Sequence, residues 1–227
     1  MKVVIIGGVA GGATAAARIR RLDEKAEIVV YERSGYISYA NCGLPYYIGG
    51  IIENPEDLTL QTPESFYARF RIHMKVHHEV TAIRPDRKTV SVKDLKSGEV
   101  FEEGYDKLLL SPGAKPVWPG LPGIDSDKLF TLRTVEDTFR IKEFVDHNKP
   151  KSAVMVGGGF IGLEVAENLR ELGIDVTIVQ RPKQLMNPFD ADMASFIHAE
   201  MRKHGVKLAL GYSVEVLKKR TMVSMCC

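Results

Sequence analysis

The sequence predicts an α/β fold in which one unit is used twice. Three observations predict it. From Lys2, a strand, a glycine-rich turn, a helix and a second strand follow in order; the same order returns from Ser152; and between the copies the pattern changes to short strands that do not repeat the unit.

In the first copy, Lys2 to Ile6 is a short β-branched run and so a buried strand. Gly7 to Gly12 is the turn. Ala13 to Leu22 is an alanine-rich helix whose basic last turn complements the negative end of the helix dipole, and Glu27 to Tyr31 is the next strand. In the second copy the elements are Ser152 to Val156, Gly157 to Gly159, Phe160 to Leu172 and Asp175 to Val179. Between them, Val80–Ile83, Thr89–Val92 and Tyr105–Leu110 read as an antiparallel insertion, with turns at Pro85-Asp86-Arg87 and Ser97-Gly98. Pro116, Pro119, Gly120, Pro122 and Gly123 make a stiff connection, which places the domain boundary so that the domains run 1–115 and 116–227. Asp190 to His204 reads as an amphipathic helix with Met193, Phe196, Ile197 and Met201 on a packed core face. Lys207 to Leu210 is a further strand. Thr221 to Cys227 matches no recognisable element, and the second unit is expected to be too short to complete a doubly wound sheet, as in a truncated product.

Composition narrows the class. The chain has 227 residues, 44% of them hydrophobic, enough for one or two real cores. A net charge of +2 with 26% charged residues gives no reason to expect a nucleic-acid or membrane-surface partner. No apolar run approaches the roughly 18 residues of a membrane span, and a cytoplasmic protein is expected. Three cysteines, Cys42, Cys226 and Cys227, form neither a disulfide framework nor a zinc pattern. His73, His77, His78, His147, His198 and His204 lack metal-ligand spacing, so no metal is expected.

A Gly-x-Gly-x-x-Gly turn between strand and helix lets backbone amides approach a pyrophosphate at the helix N-terminus. Gly157, Gly159 and Gly162 complete that pattern, with Phe160 and Ile161 inside it. The first turn keeps Gly7 and Gly12 but has Val9 in the middle, flanked by Gly8, Ala10 and Gly11. Glu32 lies about 20 residues beyond Gly12, where a carboxylate accepts hydrogen bonds from a ribose diol; the plainer alternative is an exposed charge at a strand end. The two units are therefore Rossmann-like, each with a dinucleotide site. Gln180 takes the carboxylate's place in the second unit, followed by Arg181 and Lys183. An arginine there suits a 2′-phosphate, which favours NADPH over NADH and leaves NADH open.

Cys42 sits in Ser38-Tyr39-Ala40-Asn41-Cys42-Gly43-Leu44-Pro45-Tyr46-Tyr47, directly after the first unit's second strand. A lone cysteine is by default a small buried hydrophobe. A helix starting near Gly43, with Pro45 in its first turn, would present its N-terminus to the sulfur and favour the reactive thiolate.

The run Gly7 to Leu22 and the segment Ser38 to Gly49 resemble the coenzyme A-disulfide reductases, in the single-cysteine branch of the pyridine nucleotide-disulfide oxidoreductases. Val9 is usual in that branch, and Tyr105 to Ala114, with Gly113, resembles the family's second flavin signature. The resemblance runs from Met1 to about Leu217. It implies FAD on the first unit, with Glu32 and Arg33 at its edge, and NAD(P)H on the second. Where the wider family carries a second redox cysteine, this chain has Tyr47, so the resemblance implies a mixed disulfide of Cys42 with coenzyme A. It places Asn41 beside Cys42 as a catalytic partner, and Thr14, Arg18, Arg21, Ser38 and Asn41 in the coenzyme A site. Arginine forks suit phosphates, although Arg18 and Arg21 could equally be a solvated helix end. Arg69 and Arg71 are weaker candidates. Full-length relatives are expected to be homodimers with an added interface domain, absent here. Two other readings stay open: an NADH oxidase or peroxidase cycling Cys42 through sulfenic acid, and a non-catalytic dinucleotide-binding fragment.

Overall fold

The computed structural model describes residues 1–118, 120–217 and 223–226, the last by backbone alone. In chain order the elements are β1 (Lys2–Ile6), α1 (Ala10–Leu22), β2 (Glu27–Tyr31), α2 (Leu44–Gly49), α3 (Pro63–Phe70), β3 (His73–Lys75), β4 (His78–Arg84), β5 (Thr89–Asp94), β6 (Val100–Gly104), β7 (Lys107–Leu110), β8 (Leu129–Thr131), α4 (Val135–Asn148), β9 (Ser152–Val156), α5 (Phe160–Glu171), β10 (Asp175–Gln180), α6 (Ala191–Lys203), β11 (Lys207–Leu210) and β12 (Val223–Cys226). They form two units: Met1–Ala40 with Glu56–Ala114, and Asn41–Pro55 with Lys115–Cys227. The cysteine segment, numbered within the first sequence domain, thus folds with the second unit.

The first unit holds a parallel sheet in the order β3-β2-β1-β7 and an antiparallel sheet in the order β4-β5-β6. Both faces of this sheet are covered, which is why β1 after Lys2 and β2 after Glu27 are continuously apolar. Val3, Ile5, Ile28 and Val30 face Ala13, Ala16 and Ala17 of α1 and Phe66 of α3. Val4, Val29 and Tyr31 face Val90 and Val92 of β5. Alanines at the helix contact let α1 lie close to the sheet. Arg20 then ties α1 to the end of α3, donating from Nε to the Phe70 carbonyl at 2.8 Å and from Nη2 to that of Arg71 at 3.1 Å.

One expectation fails in this unit. Tyr105–Leu110 is not part of the antiparallel insertion. The third antiparallel strand is β6, and Lys107–Leu110 returns to pair in parallel with β1, Val3 opposite Lys107. β6 pairs along its whole length with β5 but carries Glu102 and Glu103 side by side, which hides it from a search for apolar runs.

The second unit is a five-stranded parallel sheet in the order β11-β10-β9-β12-β8. Two expectations are corrected here. The unit does complete an open sheet, and residues 223–226, within the stretch given no element, form β12 between β9 and β8. The unpaired N–H and C=O groups of two facing strands create that slot; four residues without periodicity give no sign of it in the sequence. Thr221, Met222 and Cys227 lie outside the described residues. The helix Ala191–Lys203 also turns a different face inward. Ala194 is buried, while Met193 and Phe196 are 56% and 71% exposed. The inner stripe is Ala194, with Ile197, His198 and Met201 partly buried, because a small residue at the contact brings the helix closer than Met193 or Phe196 would. His198 Nε2 accepts the Leu185 N–H at 2.9 Å, and burial lowers its pKa.

Candidate active site

The first unit's turn has no room for a side chain at Gly7 or Gly12. A Cβ on Gly7, at φ 98°, would lie 2.0 Å from the Ser111 carbonyl oxygen, and one on Gly12 would lie 1.8 Å from that of Gly7. Val9 is the N-cap of α1 and offers no side-chain cap, so the first-turn amides of Ala10, Gly11 and Gly12 are left as donors. The second unit repeats this. Gly157 has φ 115°, a Cβ on Gly162 would lie 2.2 Å from the Gly157 oxygen, and α5 is again uncapped at Gly159. By contrast, α3 and α4 both carry capping boxes, Thr62/Ser65 and Thr134/Asp137. Both helices that open at glycine turns are left free to meet an anion, and the residues present fit a dinucleotide pyrophosphate.

Glu32 and Gln180 hold equivalent positions. Gly8 N–H donates to Glu32 Oε2 at 2.8 Å, and Gly158 N–H donates to Gln180 Oε1 at 3.0 Å. Glu32 Oε1 accepts from Ser34 N–H at 2.8 Å, which holds the carboxylate at the turn. Gln180 spends its oxygen in the same way and so turns an NH2 donor outward, with Arg181 and Lys183 exposed close by in sequence. Arg33 is exposed and reaches Glu79 at 3.6 Å. Gly113 has φ 68°, in the left-handed region that favours glycine.

Thr14, Arg18 and Arg21 fall on one exposed face of α1, at spacings of four and three residues. No ion pair among the described residues engages either arginine. Ser38 is half-buried with φ 45°, and Arg69, in the last turn of α3, lies over the Phe70 ring at 5.1 Å. Arg71 caps α3 in the left-handed conformation, its guanidinium over Tyr67.

Cys42 is a free, exposed thiol in a 3₁₀ turn, Asn41–Gly43, that leads into α2. α2 has six residues, with Pro45 in its first turn, and buries Leu44, Pro45 and Ile48. Tyr47, at the position of the absent second cysteine, packs edge-on against Phe139 of α4 at 5.5 Å. Gly49 lies so close to Asn168 of α5 that a Cβ would sit 2.1 Å from its Oδ1. Asn168 is fully buried and donates from Nδ2 to the Glu164 carbonyl at 2.8 Å. Gly49→Ala is therefore expected to push α2 away from α5 and to cost about 1–3 kcal/mol, which a urea melt of the purified chain would read.

Within the second unit, Asn41, Cys42, Leu44 and Pro45 line a cavity of about 400 Å3 together with Leu132, Arg133, Phe160, Ile161 and Glu164. The start of α5 and the thiol thus share one space. Arg133 Nη1 donates to Asn41 Oδ1 at 3.1 Å. Burial raises the Glu164 pKa, reinforced by the like charge of Glu167. Arg133 and Glu164 were not found from the sequence. Thr134-x-x-Asp137 was the available signal: a capping box puts Arg133 at the strand-to-helix turn, where α/β proteins gather their ligands. No cluster of metal-ligating side chains and no helix long and apolar enough to cross a membrane occurs among the described residues.

Residues 1–225 match the sequence profile of the pyridine nucleotide-disulphide oxidoreductases, and the chain belongs to that family. It is 43% identical over 95% of its length to the coenzyme A disulfide reductase of Staphylococcus aureus strain MRSA252, covering 49% of that protein. The crystal structure of reduced Bacillus anthracis CoADR-RHD superposes with a TM-score of 0.97 at 45% identity, covering 100% of this chain and 43% of that one. The water-forming NADH oxidase of Lactobacillus brevis, bound to NADH, follows at 36% identity and a TM-score of 0.90, covering 97% of this chain and 48% of that one. The chain spans about half the length of the curated relatives it matches.

Proposed function

We propose that this chain carries the dinucleotide sites and the reactive thiol of an FAD-dependent NAD(P)H oxidoreductase that reduces coenzyme A disulfide through Cys42. The observation that carries this reading is the cavity shared by Cys42, Asn41 and the first residues of α5. Gly7, Gly8 and the first turn of α1 would hold FAD, with Glu32 at its ribose; Gly157, Gly159 and Gly162 would hold NAD(P)H. When bound, the two cofactors supply the pair of electrons that the disulfide consumes.

The chain's own chemistry is thiol–disulfide exchange. The Cys42 thiolate attacks one sulfur of the substrate disulfide. The Cys42–S–S–CoA bond forms, the substrate S–S bond breaks, and one coenzyme A leaves as a thiolate that takes up a proton. Two electrons and a proton then cleave the mixed disulfide, releasing the second coenzyme A and restoring the Cys42 thiolate. Tyr47 cannot form an internal disulfide with Cys42, so on this reading the oxidised resting form is the mixed disulfide with coenzyme A. The exposed face of Thr14, Arg18 and Arg21 supports binding of the substrate's phosphates.

The test is the intact mass of the protein purified without reductant, before and after reduction. A reducible adduct of coenzyme A's mass on Cys42 is expected. Oxygen atoms there would instead support the oxidase or peroxidase reading, which the likeness to the Lactobacillus brevis enzyme keeps in view. A bare thiol would leave a dinucleotide-binding fragment.

NADPH is the proposed electron donor, because Gln180, Arg181 and Lys183 present hydrogen-bond donors where the first unit presents the Glu32 carboxylate. Gln180→Glu keeps an acceptor for Gly158 N–H and adds the missing carboxylate. It is expected to move the NADPH-to-NADH affinity ratio toward NADH by about tenfold, near 1.4 kcal/mol, as read by titrating nicotinamide fluorescence. An unchanged ratio would remove Gln180 from cofactor selection.

A further inference from the structure

The residue before Cys42 is held by an arginine that is itself held by a helix cap. Arg133 N–H donates to Asp137 Oδ2 at 3.1 Å, and the same oxygen accepts Thr134 N–H at 3.0 Å. Thr134 Oγ1 in turn accepts Asp137 N–H at 3.2 Å, closing the capping box of α4. The backbone of Arg133 is therefore fixed at the end of β8. Its guanidinium reaches into the Cys42 cavity and bonds Asn41 Oδ1 at 3.1 Å.

A guanidinium has donors and no acceptor, so only the oxygen end of the Asn41 amide can face it. The NH2 end is consequently turned away from Arg133. Asn41 and Cys42 are neighbours in one 3₁₀ turn and line one cavity. A thiolate, or a sulfur that gains charge during exchange, is stabilised by an oriented N–H donor. An amide free to flip would present its oxygen there half the time and repel that charge.

We propose that Arg133 is a positioning residue, which locks the Asn41 amide so that its NH2 group serves the reacting sulfurs at Cys42. The proposal rests on the reading of Cys42 as the reactive thiol and adds the device that prepares its surroundings. It assigns Arg133 a role exerted through Asn41, distinct from binding substrate phosphate by its own charge.

The test is the rate of Cys42 alkylation by iodoacetamide against pH, in the reduced full chain, with the modified peptide mapped to separate Cys42 from Cys226 and Cys227. Arg133→Leu is expected to slow alkylation at neutral pH by about fivefold and to move the midpoint of the profile upward. Asn41→Ala should do the same, and the double variant should be no slower than either single one. Arg133→Lys should recover part of the rate. Asn41→Asp is the decisive companion, since it keeps the acceptor for Arg133 and the shape of the side chain while replacing the donor by an oxygen. It should slow alkylation at least as much as Asn41→Ala, because the carboxylate adds like charge to the loss of the donor. A native rate in Asn41→Asp, or additive losses in the double variant, would overturn the proposal. An adduct on Cys42 with additive losses defeats this inference alone; coupling without an adduct defeats the coenzyme A reading and leaves the positioning role standing.

Discussion

Cys42→Ser is expected to abolish the reducible adduct and to lower disulfide reduction by about three orders of magnitude or more, with flavin binding unchanged. The expectation follows from where the thiol sits. Cys42 is exposed, at the rim of a cavity that it shares with the start of α5, and its turn buries nothing. The substitution therefore removes a nucleophile without removing a packing contact. A serine hydroxyl cannot form a mixed disulfide, and Tyr47 offers no second sulfur. The glycine turn that would hold FAD lies in the other unit, built by Gly7 to Gly12 against Ser111. The check is a pair of measurements on one preparation of the protein, flavin absorbance and consumption of coenzyme A disulfide. Retained turnover would end the single-cysteine scheme, while lost flavin would mean that the serine had disturbed the fold.

Two alanines in the second glycine turn should separate packing from ligand binding. In Gly162→Ala the new Cβ meets the Gly157 carbonyl oxygen at 2.2 Å. Both atoms belong to the strand–turn–helix joint, so the backbone must move, and a loss of about 1–3 kcal/mol of stability is expected together with nucleotide affinity. In Gly159→Ala the new Cβ meets nothing within 4 Å. Stability should stay within about 0.5 kcal/mol of the parent, and NADPH affinity should fall by at least about tenfold, because the second glycine of such a turn is where backbone approaches the pyrophosphate. Urea melts and nucleotide titrations on both variants would read the two effects. Unchanged affinity in Gly159→Ala would mean that this turn does not receive the dinucleotide.

The parts of the fold that could be read from sequence are those with a local signature. β1 and β9 are apolar runs that lead into glycine turns, α1 and α5 follow those turns directly, and β2 and β10 follow the helices. The misplaced parts depend on distant partners. Lys107-Leu108-Leu109-Leu110 looks the same whether it pairs with its sequence neighbour or with β1, and only β1's open edge decides. Met193 and Phe196 make a good apolar stripe, yet the helix is oriented by the smaller Ala194. The cavity shows the same division. Asn41, Cys42, Phe160 and Ile161 stand out in motifs, but Arg133 reaches Asn41 across 92 positions of chain and has no motif of its own. Its place is written in the capping box that follows it, which concerns helix geometry and says nothing directly of sulfur.

Residues 41–55 are made early but belong to the unit completed late. During synthesis they leave the ribosome before α4 and α5 exist, and at about 5–20 residues per second that interval is on the order of ten seconds. Throughout it Cys42 has neither Arg133 nor a cavity wall beside it, and it is an ordinary thiol on an unfinished chain. The reactivity proposed for this cysteine would thus be acquired only once the second unit is complete.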